Sequence, residues 1–101
     1  MATTSKALFR GAATTSVGTV LYTVPSSTTT VVTDVIVTNT AAGAGTFTLG
    51  LAGTNLATTV AIAANDTTVI PIKQVLVATN TITGGASAVT INFHISGIQI
   101  T

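Results

Sequence analysis

Cysteine, tryptophan and glutamate are absent from this 101-residue chain. Without cysteine there is no disulfide and no thiolate to hold a metal or attack a carbonyl, and the redox compartment is left open. Charge is nearly absent as well. Lys6, Arg10, Lys73, Asp34 and Asp66 are the only charged side chains, 5% of the residues against about 25% in ordinary soluble domains. Their net charge of +1 includes no basic patch able to neutralise phosphates, which argues against nucleic-acid binding. No run approaches the roughly 18 uninterrupted apolar residues of a membrane helix, so no membrane association is expected. The opening Met-Ala-Thr-Thr-Ser-Lys lacks the apolar core of a signal peptide.

Catalytic and metal chemistry meet the same shortage. His94 is the sole histidine. A base–nucleophile reading pairs it with Ser96 on one strand face, with Asp34 or Asp66 as orienter. Nothing marks a nucleophile elbow or an oxyanion hole, so the bland reading of Asn92, His94 and Ser96 as a polar ladder is preferred. One histidine and two aspartates far apart in sequence do not make a zinc site, and calcium at Asp34 and Asp66 has no further support. Ala42-Gly43-Ala44-Gly45 lacks the Gly-Lys-Ser/Thr of a phosphate loop and reads as a hairpin loop. Asn65-Asp66-Thr67 matches a glycosylation acceptor but is also a good turn, the reading we prefer. The expectation is no catalytic residue, no cofactor and no metal.

Threonine, 24 of the 101 residues, dominates what is present. It is β-branched, so it suits a pleated surface, and its hydroxyl satisfies water without charge. Mean hydropathy is nevertheless +0.74. So apolar a surface, with so few charges to guard sheet edges, implies that other copies or a partner cover part of it.

Apolar residues alternate with polar ones in short runs, and no segment has helical period. Val89, Ile91, Phe93 and Ile95 form one face of a C-terminal strand over Ala88–Thr101. Beyond Ser96 the pattern slips, and Gly97 is read as a bulge that returns Ile98 and Ile100 to the core. Phe47, Leu49 and Leu51 point inward from a strand over Thr46–Ala52. Thr29–Thr38 is apolar on both faces, as in a strand covered on both sides. Further strands are read at Lys6–Arg10 (Leu8 and Arg10 on one face, Ala7 and Phe9 on the other), Val17–Val24, Leu56–Ala63, Thr67–Ile72 and Gln74–Thr83. Pro71 calls for an edge position or a bulge. Turns are read at Pro25-Ser26-Ser27, Gly53-Thr54-Asn55, Asn65-Asp66 and Gly84-Gly85. Phe9, Tyr22, Phe47 and Phe93 read as core. About eight short strands at regular spacing predict one all-β domain, an antiparallel, jelly-roll-like β-sandwich over residues 11–101. Residues 1–10 precede it as an N-terminal arm, polar over Met1–Ser5, and first short strand. Lys6 and Arg10, with Phe9 beside them, hold most of the positive charge and are the candidate contact residues for an acidic partner.

Four segments resemble small β-sandwich virion proteins of tailed bacteriophages: Val-Leu-Tyr-Thr-Val-Pro-Ser-Ser-Thr-Thr (20–29), Val-Val-Thr-Asp-Val-Ile-Val-Thr-Asn-Thr (31–40), Lys-Gln-Val-Leu (73–76) and His-Ile-Ser-Gly-Ile-Gln-Ile-Thr (94–101). These are strand and turn patterns, and they define no binding residues to carry over. The resemblance implies a structural component of the phage particle. Its first form is a capsid decoration (cement) protein that binds the major capsid protein at the head surface as a homo-oligomer, expected to be a trimer, and is made in the host cytoplasm. The alternative is a tail or fibre module that recognises a host glycan or receptor through loops such as Ala41–Gly45 and Gly84–Ser87. A small hydrolase built on His94 ranks last.

Overall fold

The computed structural model describes residues 2–101; Met1 lies outside the described residues. Eight strands follow one another: β1 Thr3–Ala12, β2 Val20–Thr23, β3 Thr29–Asn39, β4 Gly45–Leu51, β5 Thr54–Ile62, β6 Thr67–Leu76, β7 Thr81–Ala86 and β8 Ile91–Ile100. They form two antiparallel four-stranded sheets, β1-β8-β3-β6 and β2-β7-β4-β5. First strand pairs with last, second with seventh, third with sixth and fourth with fifth. The expected all-β antiparallel sandwich of about eight strands is thus present as two packed sheets.

The core lies between the sheets. Phe47, Leu49, Ile82 and Ile62 come from one sheet, and Val32, Val35, Val37, Leu76, Ile91, Phe93 and Ile95 from the other. Phe47 and Phe93 meet edge to face, ring centroids 6.2 Å apart and planes at 75°. That geometry places the positive edge of one ring on the negative face of the other. The alternations read at Phe47-Leu49-Leu51 and Ile91-Phe93-Ile95 are therefore core faces. Pro71 meets both of its conditions: β6 is an edge strand, and the register shifts beside Pro71.

Gly97 departs from expectation. β8 keeps its alternation through it, so Gly97 and Gln99 continue the inner face while Ile98 and Ile100 stand on the outer one. The extra residues lie in the partners, where register shifts between Val32 and Asp34 in β3 and between Ala7 and Phe9 in β1. Gly97 is required for a different reason. A Cβ there would stand 2.5 Å from the Val31 carbonyl oxygen and 2.8 Å from Leu8 Cδ1. Gln99 is accommodated inside because its amide donates to the Tyr22 hydroxyl, which is 3.0 Å from the buried Thr30 hydroxyl. A buried polar group with partners carries little penalty.

The β1 bulge also overturns the facing read for that strand. Leu8 is buried and Phe9 packs against the core, while Ala7 and Arg10 are exposed. Nor are residues 3–5 a free polar arm. β1 pairs with β8 from Thr3↔Ile100 onward, and Ala2 and Thr101 exchange backbone hydrogen bonds of 3.0 and 2.9 Å. The surface that orders the N-terminus is this chain's own last strand.

Gly84-Gly85 is not a turn either. Both residues lie inside β7, and the reversal falls at 87–90, which leaves Val89 exposed rather than in the core. A Cβ on Gly85 would collide with the Ser16 backbone, because the 13–19 loop lies against β7, where Gly84 and Ala86 donate to the carbonyls of Thr19 and Thr14. Glycine within a strand here marks a close backbone approach. The strand read over Val17–Val24 shortens accordingly to β2, and β6 takes in Gln74–Leu76, which the sequence assigned to the following strand. The turn read at Gly53-Thr54-Asn55 is the two-residue hairpin Ala52-Gly53, whose φ values of 52° and 80° match the twist of the flanking strands.

Candidate functional site

The outer face of the β1-β8-β3-β6 sheet gathers most of the chain's chemistry. Strand register sets it out in rows. Ser5, Ile98, Val31 and Val75 lie side by side across the four strands. The next row is Ala7, Ser96, Asp34 and Pro71, and the next is Arg10, His94, Ile36 and Val69. Val69 and Val75 are 59% and 63% exposed, and Val31, Ile36 and Ile98 are half-buried. An apolar band therefore crosses the face on either side of the polar Ser96–Asp34 row.

The bulges shape this surface. Beside the β1 and β3 register shifts lies a depression of about 430 Å³ lined by Lys6, Arg10, Thr33, Ser96 and Ile98, among others. A second depression, about 310 Å³, is lined by Thr33, Pro71, Ile72 and Lys73. Thr33 borders both, its hydroxyl donating to the Ser96 carbonyl at 3.2 Å. Arg10 and Lys73 thus stand at adjoining hollows of one face; Lys6 borders the first hollow from the edge strand, in register with inner-face Gly97 and Val32. The four strands of the other sheet carry no charged residue at all.

The sequence-derived candidates fall as follows. Lys6 and Arg10 are exposed on β1, while Phe9 is half-buried against the core. His94, Ser96 and Asp34 do share the outer face, but Ser96 enters the hydrogen bonding there through its backbone carbonyl. Asp66 sits at the end of the sandwich, its carboxylate accepting from the Thr67 N–H at 2.8 Å. No cluster of three metal-ligating side chains occurs among the described residues, and no helix there is long and apolar enough to cross a membrane.

The loops proposed for recognition are tied down. Asn39, 1% exposed, donates to the carbonyls of Gly43 and Ala63 at 3.0 and 3.2 Å and accepts from the Ala41 N–H at 3.0 Å. Ala41 in turn accepts from Asn65, which holds a φ of 52° in its turn, a conformation asparagine tolerates. Of Gly84–Ser87, only Ser87 lies outside β7, and its hydroxyl accepts from the Thr46 N–H.

Sequence reasoning missed Lys73 and the apolar band. The signal for the band was the spacing of Val69 and Val75 against Ile70, Ile72 and Leu76. A bulge at Ile72-Lys73 hides it by breaking the period of two.

No protein-family model matches the chain, and no curated protein matches it. Two crystal structures of a pentameric capsid protein isolated from metagenomic phage sequences align with 96% of the chain at 15% and 16% identity, with a TM-score of 0.36 in each case. The chain spans 58% and 59% of their lengths.

Proposed function

We propose that this chain is a non-enzymatic structural protein of a bacteriophage particle, a capsid decoration protein that binds the head surface as a homo-oligomer and stabilises it. The assignment to a phage particle rests on the sequence resemblance of residues 20–29, 31–40, 73–76 and 94–101. The observation that carries self-association is the uncharged sheet β2-β7-β4-β5. Its edge strand β5 runs nine residues with no charge and no proline, its register interrupted only by bulges at Leu56 and Thr58-Thr59. The other edges have guards: lysine and arginine on β1, proline and lysine on β6, and a length of only four residues for β2. An edge without charge or proline is open to pairing with another chain, and a closed ring of copies removes such edges. The ring expected from the sequence is a trimer.

A tail or fibre module that reads a host surface is the weaker alternative, because its recognition loops are the hydrogen-bonded 40–44 segment and a stretch lying mostly inside β7. Quantitative mass spectrometry of purified particles tests the proposal. Hundreds of copies per particle support decoration, and a handful confined to the tail refutes it. Native mass spectrometry of the isolated protein reads the oligomer; a monomer at working concentrations refutes self-association.

A further inference from the structure

We propose that the outer face of the β1-β8-β3-β6 sheet is the surface that docks onto the particle, and that its partner there is an acidic protein surface. This deepens the decoration reading and rests on it. The face has the mixed composition of a protein interface, with apolar side chains flanking a polar row and few charges. Val31 and Ile98 on the inner strands and Val69 and Val75 on the edge strand β6 supply the apolar part, the last two 59% and 63% exposed. Lys6 and Arg10 line the hollow on the β1 side and Lys73 the hollow on the β6 side.

Charge complementarity fixes the partner's sign. All three cations of the chain lie on this sheet and Asp34 is its one anion, while the opposite sheet has no charge. Two cations, Arg10 and Lys73, set among exposed apolar side chains suit a protein rather than a nucleic acid. A backbone of phosphates rewards a dense run of lysine and arginine, and an apolar band gains nothing against it. The area suffices: four strands about 4.8 Å apart and ten residues long at about 3.3 Å each give roughly 600 Å². An interface burying that on each side clears the ~1,000 Å² total expected of a specific contact.

The test uses heads of the encoding phage prepared without this chain, and the full-length protein in four forms: wild type, Val75→Glu, Lys73→Glu and Val89→Glu. Val89, 62% exposed in the 87–90 turn, is the matched control for Val75 at 63%. Val75→Glu and Lys73→Glu should each weaken head binding about tenfold or more, and Val89→Glu should stay within about twofold of wild type. Thermal midpoints check that the variants fold, and Val69→Glu replaces Val75→Glu should the latter unfold. Full binding by both sheet variants overturns the docking face. So does binding to a short DNA duplex or to phosphatidylserine vesicles as tight as to heads. A protein present on native particles whose sheet variants still bind refutes this inference alone; one absent from native particles refutes the decoration reading itself.

Discussion

Phe93→Ala is the most informative single substitution for the fold. Phe93 is fully buried on β8, which is hydrogen-bonded to β1 on one side and β3 on the other. Its ring faces Phe47 across the gap between the sheets at 6.2 Å. Truncation removes the ring's burial and leaves a void that paired strands on both sides keep from closing, a loss of about 3–5 kcal/mol. That total includes the aromatic pair, itself worth about 0.5–1.5 kcal/mol beyond area. Small domains hold only about 5–15 kcal/mol in all. At about 4–8 °C per kcal/mol for a domain near 100 residues, the thermal midpoint should fall by roughly 10–40 °C. Urea unfolding followed by far-ultraviolet circular dichroism measures it, and the midpoint should drop with the slope unchanged. A Phe47→Ala, Phe93→Ala double-mutant cycle then isolates the coupling between the rings. A loss below about 1 kcal/mol would refute the placement of Phe93 at the centre of the core.

Gly97→Ala should destabilise by about 1–3 kcal/mol, because its Cβ has the Val31 carbonyl and Leu8 in its way; wild-type stability by chemical denaturation would disprove the close approach. Asn39→Ala should cost about 2–4 kcal/mol through unsatisfied partners and speed amide exchange at Ala41; unchanged protection there would mean that the loop is held otherwise. With one histidine, two aspartates and no glutamate or cysteine, few protons can be linked to folding, so the thermal midpoint should move by no more than a few degrees between pH 5 and 8, or on adding salt. A large shift in either scan would contradict it.

Much of this architecture is local and therefore legible in the sequence. Successive strand side chains point to opposite faces, so Phe47-Leu49-Leu51 and Ile91-Phe93-Ile95 declare their core faces without reference to anything else. Pro71 declares an edge because it has no N–H to give. The scarcity of charge, visible from composition, reappears as a whole sheet, β2-β7-β4-β5, without a charged residue.

Tertiary structure decided what depends on strands distant in sequence. Gly97 and Gly84-Gly85 look like a bulge and a turn, but their use is set by the backbones that approach them, at Val31 and Ser16. The register shift that reading assigned to β8 belongs to β1 and β3, and it turns Ile98 and Ile100 outward while Gln99 goes in to meet Tyr22. Pairing of the first strand with the last makes an integral strand of residues expected to form a polar arm. The same pairing sets Arg10 on one sheet face with Lys73, more than sixty positions away along the chain. A local pattern fixes which way a side chain points relative to its neighbours in the chain; which strands lie beside it, and so what its face becomes, is settled only when the two sheets close.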